Sequence, residues 1–148
     1  MIRFRWSSLV FLALFAAAFV VTPRSARSEV DAATITTVTA KLVEIPSKLP
    51  PDELYDYAYV MRYEVVGGPL DKSSILVAHY KPLQPRAKIK DKMKEYVGGK
   101  LRSFSQGDLH KLKLTSDLKK IWKGPLVDEY AATDRKSVRY WCLEVDPG

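Results

Sequence analysis

From Leu54 to Val66 the chain reads LYDYAYVMRYEVV. Tyr55, Tyr57, Tyr59, Met61, Tyr63 and Val65 alternate there with Asp56, Ala58, Val60, Arg62 and Glu64. Successive side chains of an extended strand point to opposite faces, so the pattern predicts a strand with an aromatic face and a more polar one. Burial of the aromatic face removes the larger apolar area from water, which places Tyr59, Met61 and Tyr63 in a core. Tyr55 and Tyr57, beside Asp56 and a polar loop, are the two expected to reach solvent. The alternative is a ligand platform along the whole row, because aromatic rings on a sheet stack bases or sugars.

The neighbouring segments extend the β pattern. ITTVTAKLVEI (35–45) is rich in β-branched residues and reads as a first strand, stopped by Pro46 and by Pro50-Pro51. The tyrosine row is the second strand and ends at Gly67-Gly68-Pro69, and SILVAHY (74–80) is the third, closed by Pro82 and Pro85. Ile89, Met93, Tyr96 and Val97 then fall at helical spacing, with Gly98-Gly99 as a stop signal, so a helix is expected there. DLHKLKL (108–114) alternates again, with His110, Leu112 and Leu114 on one face; SDLKKIWKG allows a short helical turn, and VRYWCLEV (138–145) supplies a fifth strand. Three strands, a helix and two strands give the expected fold class: mainly β, a five-stranded OB-like Greek-key barrel with one helix between strands 3 and 4. A small β-sandwich is the rival, and it leaves that helix without a place.

The N-terminus has a different character. Arg3 and Arg5 precede an apolar run from Leu9 to Val21, and Ala26-Arg27-Ser28 follows Thr22 and Pro23. A basic start, an apolar stretch of about 7–15 residues and a small-residue cleavage pattern describe a secretory signal peptide. The expectation is a signal peptide over 1–28, a single OB-like domain over 29–148, and an exported protein in the periplasm or outside the cell. A retained anchor is the alternative, and it is the only membrane contact expected. The leader carries four arginines and no acid, so its loss lowers the formal charge from +7 to +3.

Charge is concentrated further along. Between Lys81 and Lys123 there are thirteen Lys or Arg against Asp91, Glu95, Asp108 and Asp117. Folded onto one side, such a segment attracts polyanions; distributed over loops, it is a solvated surface. Tyr55, Tyr57, Lys88, Lys90, Lys92 and Arg102 are therefore the candidate ligand-binding residues, with nucleic acid, an anionic glycan or lipid head groups as the polyanions such a segment attracts and export arguing against nucleic acid.

The chemistry-bearing residues are few. Cys142 is the only cysteine, in a -RYWCLEV- setting that reads as a packed strand position. His79 and His110 are the only histidines, and no H-x-x-x-H, C-x-x-C or H-E-x-x-H pattern collects metal ligands. Neither a G-x-S-x-G elbow nor a phosphate-binding glycine loop is present. The expectation is a non-enzyme with no cofactor, no metal and no catalytic residue. An enzyme reading would require His79 and His110 to converge in space.

Tyr63-Glu64-Val65, Lys72, Ile75-Leu76-Val77 and His79, Gly107-Asp108 with His110, Leu112 and Leu114, and Asp128-Glu129-Tyr130 together resemble a family of exported bacterial domains encoded with or near alginate O-acetyltransferase-like cell-surface proteins. The arrangement is also similar to netrin-like OB-type modules. The likeness covers about residues 36–145, with Tyr80 where a tryptophan is expected and a longer, more basic stretch from Pro82 to Phe104. It implies a non-enzymatic accessory or binding module in cell-envelope polysaccharide handling, with an O-acetyltransferase-like envelope protein or an anionic glycan as partner. The residue-based alternative is a polyanion-binding protein that uses segment 81–123.

Overall fold

The structure, a computed structural model, describes residues 35–49 and 55–148. The expected signal peptide lies outside the described residues. Among the described residues no helix is long and apolar enough to cross a membrane.

The fold is mainly β. Among the described residues its strands are β1 (Ile35–Glu44), β2 (Ala58–Gly67), β3 (Ser74–Tyr80), β4 (Leu109–Thr115), β5 (Leu126–Val127) and β6 (Arg139–Pro147), with one short helix, α1 (Leu118–Ile121). They form one six-stranded sheet in the order β1-β4-β6-β3-β2-β5, and β1 also pairs with β2, so the ladder returns to its first strand. The β3–β6 and β2–β5 ladders are parallel and the other four are antiparallel. The expected five strands are thus corrected to six. LV (126–127), too short to show a period in sequence, adds to the edge of β2 at Ala58 and Tyr59. The β3–β6 ladder holds only Leu76–Ala78 against Arg139–Trp141, so the sheet is not a clear barrel.

Two apolar layers stabilise the sheet. One joins Met61, Tyr63 and Val65 of β2 to Val38, Ala40 and Leu42 of β1, Leu112 and Leu114 of β4, and Cys142 and Val145 of β6. This is the alternating face that the second strand announced. The second layer lies on the opposite side, where Ala58, Val60, Leu76, Ala78 and Tyr80 meet Ile89, Met93, Val97, Leu118, Trp122 and Trp141. The face read as the polar one is therefore solvated at Asp56 and Glu64 and partly at Arg62, while Ala58 and Val60 are buried. The β2 strand also begins later than the aromatic alternation does, at Ala58.

The helix expected between the third and fourth strands is absent. In its place stand a single 3-10 turn, Arg86–Lys88, and a run of turns. Two interactions explain the difference. The Asp91 carboxylate accepts a hydrogen bond from the Met93 backbone N–H at 2.9 Å, a local bond that competes with helical pairing. Farther on, the backbone pairs with β6: the Gly98 N–H donates to the Leu143 carbonyl (2.7 Å), and the N–H groups of Val145 and Leu101 donate to the carbonyls of Gly98 and Val145. Gly98-Gly99 is thus an edge-pairing device. Gly99 has φ +106°, and a Cβ there would collide with the Val145 backbone, so only glycine fits. Ile89, Met93 and Val97 still bury as their spacing implies, but along an irregular cover over the sheet.

Candidate functional site

The tyrosine row divides where the strand begins. Tyr55 is 59% exposed and Tyr57 half-buried, whereas Tyr59 is 1% exposed. The rings form a chain from solvent inward, with Tyr55 edge-on to Tyr57 at 5.6 Å and Tyr57 tilted to Tyr59 at 6.4 Å. Beside them Lys81 bonds the Asp56 carboxylate at 2.8 Å and approaches Asp91 at 3.7 Å. Lys81 has a positive φ of 40°, and its N–H donates to the Tyr57 carbonyl, which ties the end of β3 to the aromatic segment. The Tyr80 hydroxyl completes the group by donating to Asp91 at 2.8 Å.

Electrostatics favour an ionised Asp56 and a neutral Tyr80 on this ledge. The hydrogen bond from Lys81 holds the Asp56 carboxyl below its usual range, against a smaller opposing effect of burial, and Lys92 contributes in the same direction as Lys81. Burial, then the Asp91 carboxylate, pushes the Tyr80 phenol upward. An exposed aromatic ring flanked by carboxylates and ammonium groups can stack on the apolar face of a sugar while bonding its hydroxyls.

Of the six candidate residues, Tyr55 and Tyr57 adjoin, and Lys92 acts electrostatically on Asp56 between them. Lys88, Lys90 and Arg102 are exposed, and among the described residues no recorded contact joins them to the ledge. The basic segment is also not uniformly external. Arg86 is buried and donates to the carbonyls of Tyr80 (2.8 Å), Lys81 (2.6 Å) and Gln84 (3.0 Å), with its guanidinium 5.3 Å from the centre of the Phe104 ring. Nothing in the sequence distinguishes Arg86 from its basic neighbours except the prolines before it.

His79 and His110 do converge. The Tyr63 hydroxyl lies 3.0 Å from His79 Nε2 and 3.2 Å from His110 Nδ1, inside the first apolar layer, and Phe104 packs on both imidazoles. Each imidazole is 1% exposed. One hydroxyl can donate only once, so with both imidazoles neutral one presents a bare nitrogen to Tyr63 and the other an N–H. The far nitrogens, His79 Nδ1 and His110 Nε2, have no hydrogen-bond partner among the described residues. Burial, followed by Arg86 and His110, holds His79 well below its ordinary value; burial also lowers His110 against an opposing pull from Asp108. The Tyr63 phenol is raised, chiefly by burial.

The sign of the pH dependence follows. With both folded-state values depressed, the unfolded chain binds more protons below about pH 6.5, so stability is complete above that pH and declines as pH falls toward the folded-state values. Two such groups set a limiting slope of about 2.7 kcal/mol per pH unit. Urea unfolding between pH 7.5 and 4.5 checks this, and His79→Asn with His110→Asn should flatten the curve.

Cys142 is buried, its thiol donates to the Glu144 carbonyl at 3.2 Å, and burial pushes its pKa up to about 12. Among the described residues no three His, Cys, Asp or Glu side chains gather in a way that could hold a metal ion. Comparison with known proteins finds no family model that matches the chain, and no curated protein or solved structure that matches it.

Proposed function

We propose that this protein is an exported, non-enzymatic binding module of OB-like type that handles cell-envelope polysaccharide, with the Tyr55–Tyr57 ledge as its ligand contact. The observation that carries the reading is the ledge itself: an exposed tyrosine stacked edge-on against a second, with Asp56, Lys81 and Asp91 at its side. The strand connections favour the OB-like description, since β1 pairs with both β2 and β4 and β6 runs parallel to β3. The likeness to domains found with alginate O-acetyltransferase-like proteins points to an anionic, uronate-rich glycan or to such an envelope protein as the partner. The imidazoles of His79 and His110 meet at the Tyr63 hydroxyl within the packed interior, so they are read as structural.

Calorimetric titration of the protein with oligouronates and with a neutral glucan of equal length tests the reading. Selective binding of the oligouronate supports it, and equal or absent binding of both rejects it. Export is tested separately: expressed in a bacterial host, the protein should be recovered outside the cytosol with its sequence beginning after Ser28. A cytosolic product that retains Met1 contradicts export.

A polyanion-binding reading is favoured by one observation: Lys88, Lys90, Lys92 and Lys94 are all exposed along the cover segment. It predicts affinity for any polyanion, nucleic acid included, that collapses with salt whatever the backbone chemistry.

A further inference from the structure

A cleft of about 510 Å³ opens on the side of the molecule formed by α1, the loop between β5 and β6, and Arg139 at the start of β6. Its apolar wall is Leu118, Ala131 and Val138, and Val138 is 51% exposed, an apolar surface left in solvent at the start of a strand. Four cations and two carboxylates line the rest. Both carboxylates are already paired: Asp128 with Arg139 at 2.8 Å, and Asp117 with Lys120 at 3.5 Å. Among the described residues, that leaves the exposed side chains of Lys119 and Arg135 as the uncompensated charges of the cleft.

The wall is also rigid. Besides Asp128, the Arg139 guanidinium donates to the carbonyls of Ser137 (2.7 Å) and Asp134, so one side chain joins both limbs of the loop. The Asp134 carboxylate in turn accepts from the backbone N–H groups of Lys136 and Ser137 and from the Ser137 hydroxyl at 2.6 Å. A loop tied internally in this way is ordered before a ligand arrives, which reduces the entropy lost on binding. A preformed concavity with an apolar wall and two unpaired cations suits a compact ring bearing one carboxylate.

From this geometry we infer that the cleft is a second carbohydrate subsite that takes one uronate residue, with its carboxylate between Lys119 and Arg135 and its ring against Val138. The inference deepens the glycan-binding reading and rests on it. The ledge supplies stacking, while the cleft supplies selection for a carboxylated over a neutral sugar.

The test is amide chemical-shift mapping of the full chain titrated with glucuronate, glucose and oligouronates, repeated on the Lys119→Gln/Arg135→Gln double variant. Both positions are exposed, so the variant should unfold at the parent midpoint. Glucuronate should shift the amides of Ser116, Lys119, Arg135 and Val138, glucose should not, and the double variant should bind oligouronate at least tenfold more weakly. If oligouronate shifts only the Tyr55–Tyr57 region, or the double variant binds it as tightly as the parent, the subsite is overturned and the ledge reading survives. If no oligouronate binds, the glycan reading fails, and the monosaccharide comparison judges the cleft alone: glucuronate shifts confined to it support a carboxylate site, and their absence overturns it.

Discussion

Trp141→Ala is expected to lower the unfolding free energy by about 4–5 kcal/mol, the upper range for truncation of a large core aromatic. Trp141 is fully buried, pairs with Ala78 across the short β3–β6 ladder, and stacks on Trp122 with ring centres 6.1 Å apart at 22°. Its indole N–H donates to the Tyr96 carbonyl at 2.8 Å, so truncation also leaves that carbonyl without its donor. The residue thus fastens the cover segment to the sheet. Chemical denaturation at pH 7.5 measures the effect; a loss below about 1.5 kcal/mol would mean that the second apolar layer contributes little.

Arg86→Ala should cost about 3–5 kcal/mol, because three backbone carbonyls, one buried and two part-buried, lose a charged donor. Arg86→Lys should recover only part of this, since an ammonium cannot reproduce the planar fork that reaches all three. A second readout separates charge from packing. Arg86 is one of the groups that hold His79 down, so in Arg86→Ala the decline of stability below pH 6.5 should be shallower than in the parent. An unchanged pH profile would show that the guanidinium does not act on the imidazole.

Much of this architecture is legible in the sequence wherever periodicity is strong. The alternation of Tyr59, Met61, Tyr63 and Val65 locates both a strand and its buried face, and the same holds for His110, Leu112 and Leu114 on β4. The segment 88–97 misleads for a physical reason. Ile89, Met93 and Val97 recur at intervals of four, which a helix and an irregular cover can both satisfy. What decides is tertiary: Asp91 captures the Met93 N–H, and Gly98 and Leu101 complete their bonding on β6, a strand far away in the chain. The two-residue β5 is too short to carry a pattern, and the burial of Ala58 and Val60 depends on what lies over them.

The candidate site divides along the same line. Tyr55 and Tyr57 stand out locally because they lie beside Asp56 and a polar loop, so the exposure of Tyr55 and the partial exposure of Tyr57 are readable from the chain, whereas the start of β2 at Ala58 is not. The pairing of Asp56 with Lys81, the internal position of Arg86 and the meeting of His79 with His110 at Tyr63 are contacts across strands, and they need the register of β2, β3 and β4. Charge alone points to Lys88, Lys90 and Arg102, and charge without position does not select among thirteen basic residues.

On the proposed reading, the tyrosine row changes role between Tyr57 and Tyr59, from ligand contact to core. Urea unfolding and oligouronate binding of Tyr55→Ala and Tyr59→Ala, measured side by side, test it most directly. Tyr55→Ala should unfold within about 0.5 kcal/mol of the parent, as exposed substitutions do, yet lose most of its glycan affinity. Tyr59→Ala should lose about 3–5 kcal/mol of stability. The account is contradicted if Tyr59→Ala unfolds at the parent midpoint but loses the glycan, or if Tyr55→Ala binds it as tightly as the parent.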